Sequence, residues 1–175
     1  VIIKDKKIYK AGTGAVPEGY KVKDFGDNII IPGIIDSHVH GCNTAVMLSG
    51  VSLMEAESIK DVLNLIEERC STTDEELVLA PFFIVPQIKE GRFPTRKELD
   101  SVSHGKRVMV INITLHSSSI NTAAYEFVDF TGKEQGMTKD EDGVFNGWLT
   151  EDEVNFHAMG ELIAGMSDEK IEEYI

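Results

Sequence analysis

Apolar and polar positions alternate with a short period at the start of the chain and with a helical period further on. In Val1-Ile2-Ile3-Lys4-Asp5-Lys6-Lys7-Ile8-Tyr9-Lys10, two β-prone runs flank Asp5-Lys6-Lys7, which predicts a hairpin. Short alternation resumes from Tyr20 to Ile31 around a Gly26-Asp27-Asn28 turn, so residues 1–31 read as small antiparallel β structure. Pro32-Gly33 then punctuates the chain before Ile34-Ile35-Asp36-Ser37-His38-Val39-His40. An apolar lead-in running into polar residues is the profile of a buried parallel strand with a functional C-terminal tip.

Further along, Ser52 with Glu55 has the spacing of a capping box, and Ile59, Val62, Leu63 and Ile66 follow at helical spacing, predicting a helix over about 52–69. Residues 76–86 form a buried strand interrupted by Pro81, and Thr95 with Glu98 opens a short helix as a second capping box. Residues 106–116 predict a third buried strand ending at His116, and residues 121–130 a helix. The Gly, Asp and Asn content of 133–149 predicts turns and a hairpin. Thr150 with Glu153 predicts a third capping box and a helix through about Gly165, with Ser167 capping another. This order predicts an α/β fold after a small β element, without internal repeats.

With 42% hydrophobic residues among 175, the chain can build a core. Its 30 acidic against 17 basic residues give a formal charge of -13, which disfavours nucleic acid and anionic membrane surfaces as partners. Acidic residues crowd the stretch from Lys139 onward and read as solvated helix faces. No apolar run approaches the ~20 residues that cross a bilayer and no signal peptide is evident, so a cytoplasmic location is expected. Cys42 and Cys70 are too few for a disulfide framework and read as reduced thiols.

The candidate chemistry lies in His38 and His40. On a strand they would share a face, with Cα atoms roughly 6.5 to 7 Å apart, and both imidazoles could lean toward one divalent cation. Asp36 has the same parity and would serve as a further ligand or orient an imidazole, and it equally fits a residue that merely ends the strand. On spacing alone, two hydrogen-bonded strand histidines without metal fit equally well.

The context of the pair, Ile31-Pro32-Gly33-Ile34-Ile35-Asp36-Ser37-His38-Val39-His40-Gly41, resembles the first-strand motif of the amidohydrolase superfamily. Phe93-Pro94-Thr95 through Val102, Leu115-His116 through Phe127, and Asp142-Gly143 through Glu153 are similar to patterns of the branch that includes N-substituted formamide deformylase. The resemblance implies a (β/α)8 barrel with a β-sandwich built from both chain ends, one or two divalent metals, expected to be Zn, and a small-molecule substrate. It implies that His38 and His40 are the first two metal ligands and that metal-activated water hydrolyses a C-N, amide-like bond. His116 and Asn121 become candidate substrate contacts, and Glu151 a candidate metal-site carboxylate. A strand-terminal polar residue, a helix-start Asn and a first-turn Glu account for the same three without any site.

A complete (β/α)8 barrel takes ~200 to 250 residues, more than remain after residue 31. After His40 the chain offers His104, His116 and His157, none in a strand motif that fits the family's later ligands. The expectation is thus an N-terminal segment of an amidohydrolase, inactive alone: residues 1–31 as part of the sandwich, residues 32–175 as the first barrel strand and an inserted α/β region. The competing reading is a non-catalytic α/β interaction or assembly module with a vestigial His-x-His pair. A third is weak metal binding through His38, His40 and Cys42. Homo-oligomerisation is left open by the sequence. No phosphate-binding Gly loop and no Ser nucleophile elbow is present, so nucleotide-dependent chemistry has no support.

Overall fold

Lys7, Ile8 and Tyr9 can return alongside Ile2 and Ile3 only if the chain reverses over two residues. The computed structural model, which describes residues 1–132 and 135–174 without the side chains of 42, 43, 170 and 174, shows that reversal. Strands β1 (Ile2–Lys4) and β2 (Lys7–Lys10) pair antiparallel, and Asp5 and Lys6 between them have φ of 52° and 62°. Two successive left-handed residues give a turn whose twist matches that of the strands. The strands expected over 20–31 do not form. Asp24 Oδ1 accepts the Gly26 N–H at 2.8 Å, and the Phe25 carbonyl accepts from the Asn28 backbone and side chain, so local bonds take groups that a ladder would use.

The strand expected over residues 34–40 is likewise absent. Asp36 Oδ1 accepts the His38 N–H at 3.0 Å in a side-chain-closed turn, and Ile34 and Ile35 are 94% and 89% exposed. A strand persists only where neighbours complete its backbone hydrogen bonds, and no described strand pairs with this segment. The chain divides into two compact units, Val1–His38 and Val39–Ile175.

In the second unit a five-stranded sheet carries helices on both faces. Its strands are β3 (Leu77–Phe83), β4 (Arg107–Asn112), β5 (Ser118–Ile120), β6 (Met137–Lys139) and β7 (Phe145–Leu149). They lie in the order β3-β4-β5-β7-β6, with β3 and β4 parallel and all other pairs antiparallel. The helices are α1 (Gly41–Leu48), α2 (Ile59–Thr72), α3 (Arg96–Asp100), α4 (Thr122–Phe127), α5 (Asp152–Ala164) and α6 (Asp168–Tyr174).

Alternation along the two parallel strands sorts the core into two layers. Val78, Ala80, Val108 and Val110 pack with Ile59, Val62, Ile66 and Cys70 of α2 and Leu99 of α3. Leu77, Leu79, Met109 and Ile111, one residue out of phase, pack with Val46 and Met47 of α1, Ala124 of α4, and Val154, Ala158 and Leu162 of α5. Both faces of β3 and β4 are therefore covered, which is why these strands read as continuous apolar runs. Each fully buried Leu or Ile here contributes about 1.5–3 kcal/mol.

Three sequence expectations need correction. Helix α2 starts seven residues later than the Ser52 box, because Ser58 accepts the Asp61 N–H and donates its hydroxyl to Asp61 Oδ2 at 2.7 Å. Residues 51–53 instead run beside β3, with the N–H groups of Val51 and Leu53 donating to the carbonyls of Leu79 and Pro81. The strand expected over 106–116 is a hairpin: β4 ends at Asn112, and β5 returns antiparallel with Ile111 opposite Ser118. Helix α5 has Glu151 rather than Thr150 as its N-cap residue, since Thr150 Oγ1 donates to the Gly136 carbonyl. Pro81 stays within β3 at a bulge, where Phe82 takes φ 64° and the register with β4 shifts.

Candidate functional site

His38 closes the first unit and His40 is the second residue of the other, so each is described by its own surroundings. The backbone of His38 is held by Asp36, and the His40 carbonyl accepts the Thr44 N–H at 2.8 Å as the residue preceding α1. Asp36, His38 and His40 are all exposed. Imidazole nitrogens are suitable donors for a divalent cation, but among the described residues no group of three His, Cys, Asp or Glu side chains is arranged to hold one. The donors therefore fit a metal by type, as part of a ligand set. The Cys42 side chain lies outside the described residues.

A second constellation forms at the β4–β5 turn, at the C-terminal end of the parallel pair. His116 Nδ1 lies 2.7 Å from Asp152 Oδ1 in the first turn of α5, and its ring meets the edge of Phe156 at a centroid distance of 6.2 Å. Asn155, fully buried on the same helix, donates through Nδ2 to the Leu115 carbonyl at 2.7 Å. Within the turn, Asn112 Oδ1 accepts both the N–H and the hydroxyl of Thr114, and Leu115 takes φ 64°. Asp152 and Asn155 were not legible as site residues from the sequence, because their partners lie 36 and 40 positions away.

Glu151 follows the end of β7, whose Leu149 and Trp148 pair with Ser118 and Ser119 of β5, and it directly precedes Asp152, the partner of His116. The Glu151 stem packs over Gly136, where an added Cβ would clash with Glu151 Cβ and Cγ. Gly136 has φ 84°, so this contact requires glycine for space and for conformation.

Asn121 stands at the far end of β5 from His116, and the structure does not bring the two together. Both ends of its amide are engaged: Oδ1 accepts the N–H groups of Val108 and Ala124, both at 3.0 Å, and Nδ2 donates to the Lys106 carbonyl at 2.8 Å. It is a helix cap that also pins the start of β4.

The three motif stretches that carried the family resemblance interlock. The Pro94 carbonyl accepts from Ser119 Oγ at 2.6 Å and from Trp148 Nε1 at 2.9 Å. Asp100 accepts both the N–H and the hydroxyl of Thr122. The Thr95–Glu98 capping box forms as expected, and Arg92 grips Glu98 through two 2.8 Å bonds. These bonds from the Arg92 guanidinium, with those from Thr95, hold the Glu98 carboxyl down at about 2. Burial pushes the Cys70 thiol up, as for an inert core cysteine. His104 occupies a left-handed turn position at φ 51°, and His157 Nε2 lies 2.7 Å from the Asp129 carbonyl and 3.3 Å from Glu161.

Comparison with known proteins gives these motifs a family. A model described as the amidohydrolase family matches residues 21–175. An N-substituted formamide deformylase from Arthrobacter pascens is 29% identical over 136 residues, covering 73% of this chain and 25% of that protein. The exoenzymes regulatory protein AepA of Pectobacterium carotovorum is 28% identical over 133 residues, covering 71% of this chain and 29% of that protein. The chain thus spans between a quarter and a third of the length of these curated relatives. Crystal structures of metal-dependent hydrolases from Pyrococcus horikoshii and Pyrococcus furiosus superpose with a TM-score of 0.59 each, at 20% and 17% identity. They cover 79% and 82% of this chain, which takes up 26% and 27% of theirs, and at that identity they speak to the fold. With most of its length matched by the family model and its α/β framework shared with these hydrolases, this chain belongs to the amidohydrolase family.

Proposed function

We propose that this chain contributes to a metal-dependent hydrolase that cleaves a C-N, amide-like bond in a small molecule. The observation that carries the reading is His38-Val39-His40 following Pro32-Gly33 inside the family-matched stretch. His38 and His40 would hold a divalent cation, Zn by preference of paired imidazoles, as one or two ions with carboxylates such as Glu151 or Asp36 nearby. When bound, such a cation supplies Lewis acidity and activates water. Asp36, already bonded to the His38 backbone, would fix the approach of that histidine, and His116 would meet the substrate. Residues 1–31 would belong to a β-sandwich, and residues 32–175 to a (β/α)8 barrel with an α/β insert.

Metal analysis of the protein expressed from its own gene tests the assignment. Replacing both histidines, His38→Ala with His40→Ala, is expected to remove bound metal and activity together; retention of stoichiometric metal and turnover by the double variant would sink it.

The competing reading is a non-catalytic α/β interaction or assembly module in which His38-Val39-His40 is vestigial. That reading requires the unaltered protein to carry no stoichiometric metal. No helix among the described residues is long and apolar enough to cross a membrane, and the acidic surface is suited to neither nucleic acid nor anionic lipid.

A further inference from the structure

One face of the first turn of α5 is devoted to a single loop. Asp152, Asn155 and Phe156 stand at i, i+3 and i+4, neighbouring positions on a helix surface, and all three engage residues 115 and 116. The loop is conformationally costly: Leu115, a bulky residue, sits at φ 64°, and Asn155 is buried with its Oδ1 unpartnered so that Nδ2 can reach the Leu115 carbonyl. Strain and an unsatisfied buried oxygen persist where the surroundings over-determine a geometry, and here both bear on the residue that precedes His116. Its imidazole is nevertheless 62% exposed, and Asp152 is 63% exposed, so neither group is packed away as core.

We propose that His116 and Asp152 form an orienting pair, in which Asp152 accepts Nδ1–H and thereby leaves Nε2 as an open hydrogen-bond and proton acceptor. The ligand it takes presents a polar N–H or O–H donor, as an amide or its hydrated product does; this part rests on the hydrolase reading above. Asp152 is a positioning residue, since it acts only through the imidazole. A carboxylate on one ring nitrogen sets which nitrogen carries the proton, and an unconstrained histidine side chain favours the opposite tautomer, with the proton on Nε2.

Long-range proton–nitrogen NMR of the 15N-labelled chain near pH 8.5, where an ordinary imidazole is neutral, reads the tautomer directly. The expected result is His116 chiefly as Nδ1–H, shifting to chiefly Nε2–H in Asp152→Ala and returning toward Nδ1–H in Asp152→Glu. A His116 that is chiefly Nε2–H in the unaltered chain, or an Asp152→Ala tautomer unchanged from it, would overturn the pairing. Glu153 keeps an acid in the first turn of α5, and Asp152→Leu, which has no acceptor and a good helix propensity, serves where Asp152→Ala does not fold, with the same loss of Nδ1–H preference expected and an unchanged preference overturning the pairing. Because the readout needs neither metal nor turnover, it stays separable from the His38 and His40 test: an Nδ1–H His116 in a protein without metal supports the pair and fails the hydrolase reading.

Discussion

Trp148 Nε1 donates to the Pro94 carbonyl at 2.9 Å, and this bond ties the C-terminal half of β7 to the residue that precedes the cap of α3. Ser119 Oγ reaches the same oxygen at 2.6 Å. Pro94 is buried, so each single variant, Trp148→Phe or Ser119→Ala, leaves the carbonyl one partner, whereas the double variant leaves it none. The singles are expected to cost about 1 kcal/mol each beyond packing losses, and the double more than their sum, because an orphaned buried carbonyl carries a further ~1–3 kcal/mol. Urea unfolding of the four proteins measures the coupling, and strict additivity would contradict it.

Gly147 lies beside that bond with φ 104°, and a Cβ there would fall 2.8 Å from both the Arg96 nitrogen and the Ile120 carbonyl oxygen. Neither obstacle is a flexible side-chain end. Gly147→Ala is expected to destabilise by at least ~2 kcal/mol, combining left-handed strain with a backbone clash. A midpoint of thermal unfolding within a degree of the unaltered chain would show that β7 and α3 separate easily.

Asn121→Ala removes a helix cap and strands the buried N–H of Val108, so a loss of roughly 2–4 kcal/mol is expected. Asn121→Asp keeps the two accepting bonds but sets a carboxylate oxygen against the Lys106 carbonyl in a buried place, so it should cost stability while leaving the Val108 N–H bonded. Hydrogen exchange at Val108 reports the local effect: its amide should lose protection in the Ala variant and keep most of it in the Asp variant.

Acid should weaken the α3 corner through Glu98. Its carboxyl titrates at about 2 in the folded chain, below the ordinary carboxylate value of 4.5, so the folded state favours the ionised form. That contribution is complete above about 4.5 and is lost as pH falls toward 2. The stability difference between the unaltered chain and Glu98→Gln is therefore expected to be constant near neutrality and to shrink below pH 4.5. A gap that widens on acidification would contradict the sign.

Where local chemistry decides an element, the sequence was readable. Thr95 and Glu98 lie three residues apart and form the box their spacing predicts, and Asp5-Lys6 makes the expected hairpin turn. Where two local signals compete, tertiary packing chose: Ser52 and Ser58 both suit a cap, but Leu53 is needed in the core beside β3, which leaves Ser58 to start α2. The end of β4 was hidden because Ile111 through Leu115 reads as one β-prone run, and only Thr114 bending back to Asn112 Oδ1 reveals the reversal. Of the candidate site, the motif containing His38 and His40 was legible as a pattern, although the strand expected to carry it is not formed. His116 could be named but not its partner, since no periodicity links it to Asp152.

The parallel strand β3 lies at one edge of the sheet, where bare backbone groups invite pairing with another molecule. Val51 and Leu53 donate their N–H groups to the Leu79 and Pro81 carbonyls, and Pro81 itself has no N–H to offer. At the opposite edge β6 is three residues long and ends on Lys139. Both margins are thus poor templates for stacking sheet on sheet end to end, so concentrated solutions of this α/β unit should resist fibril growth seeded from its own strands.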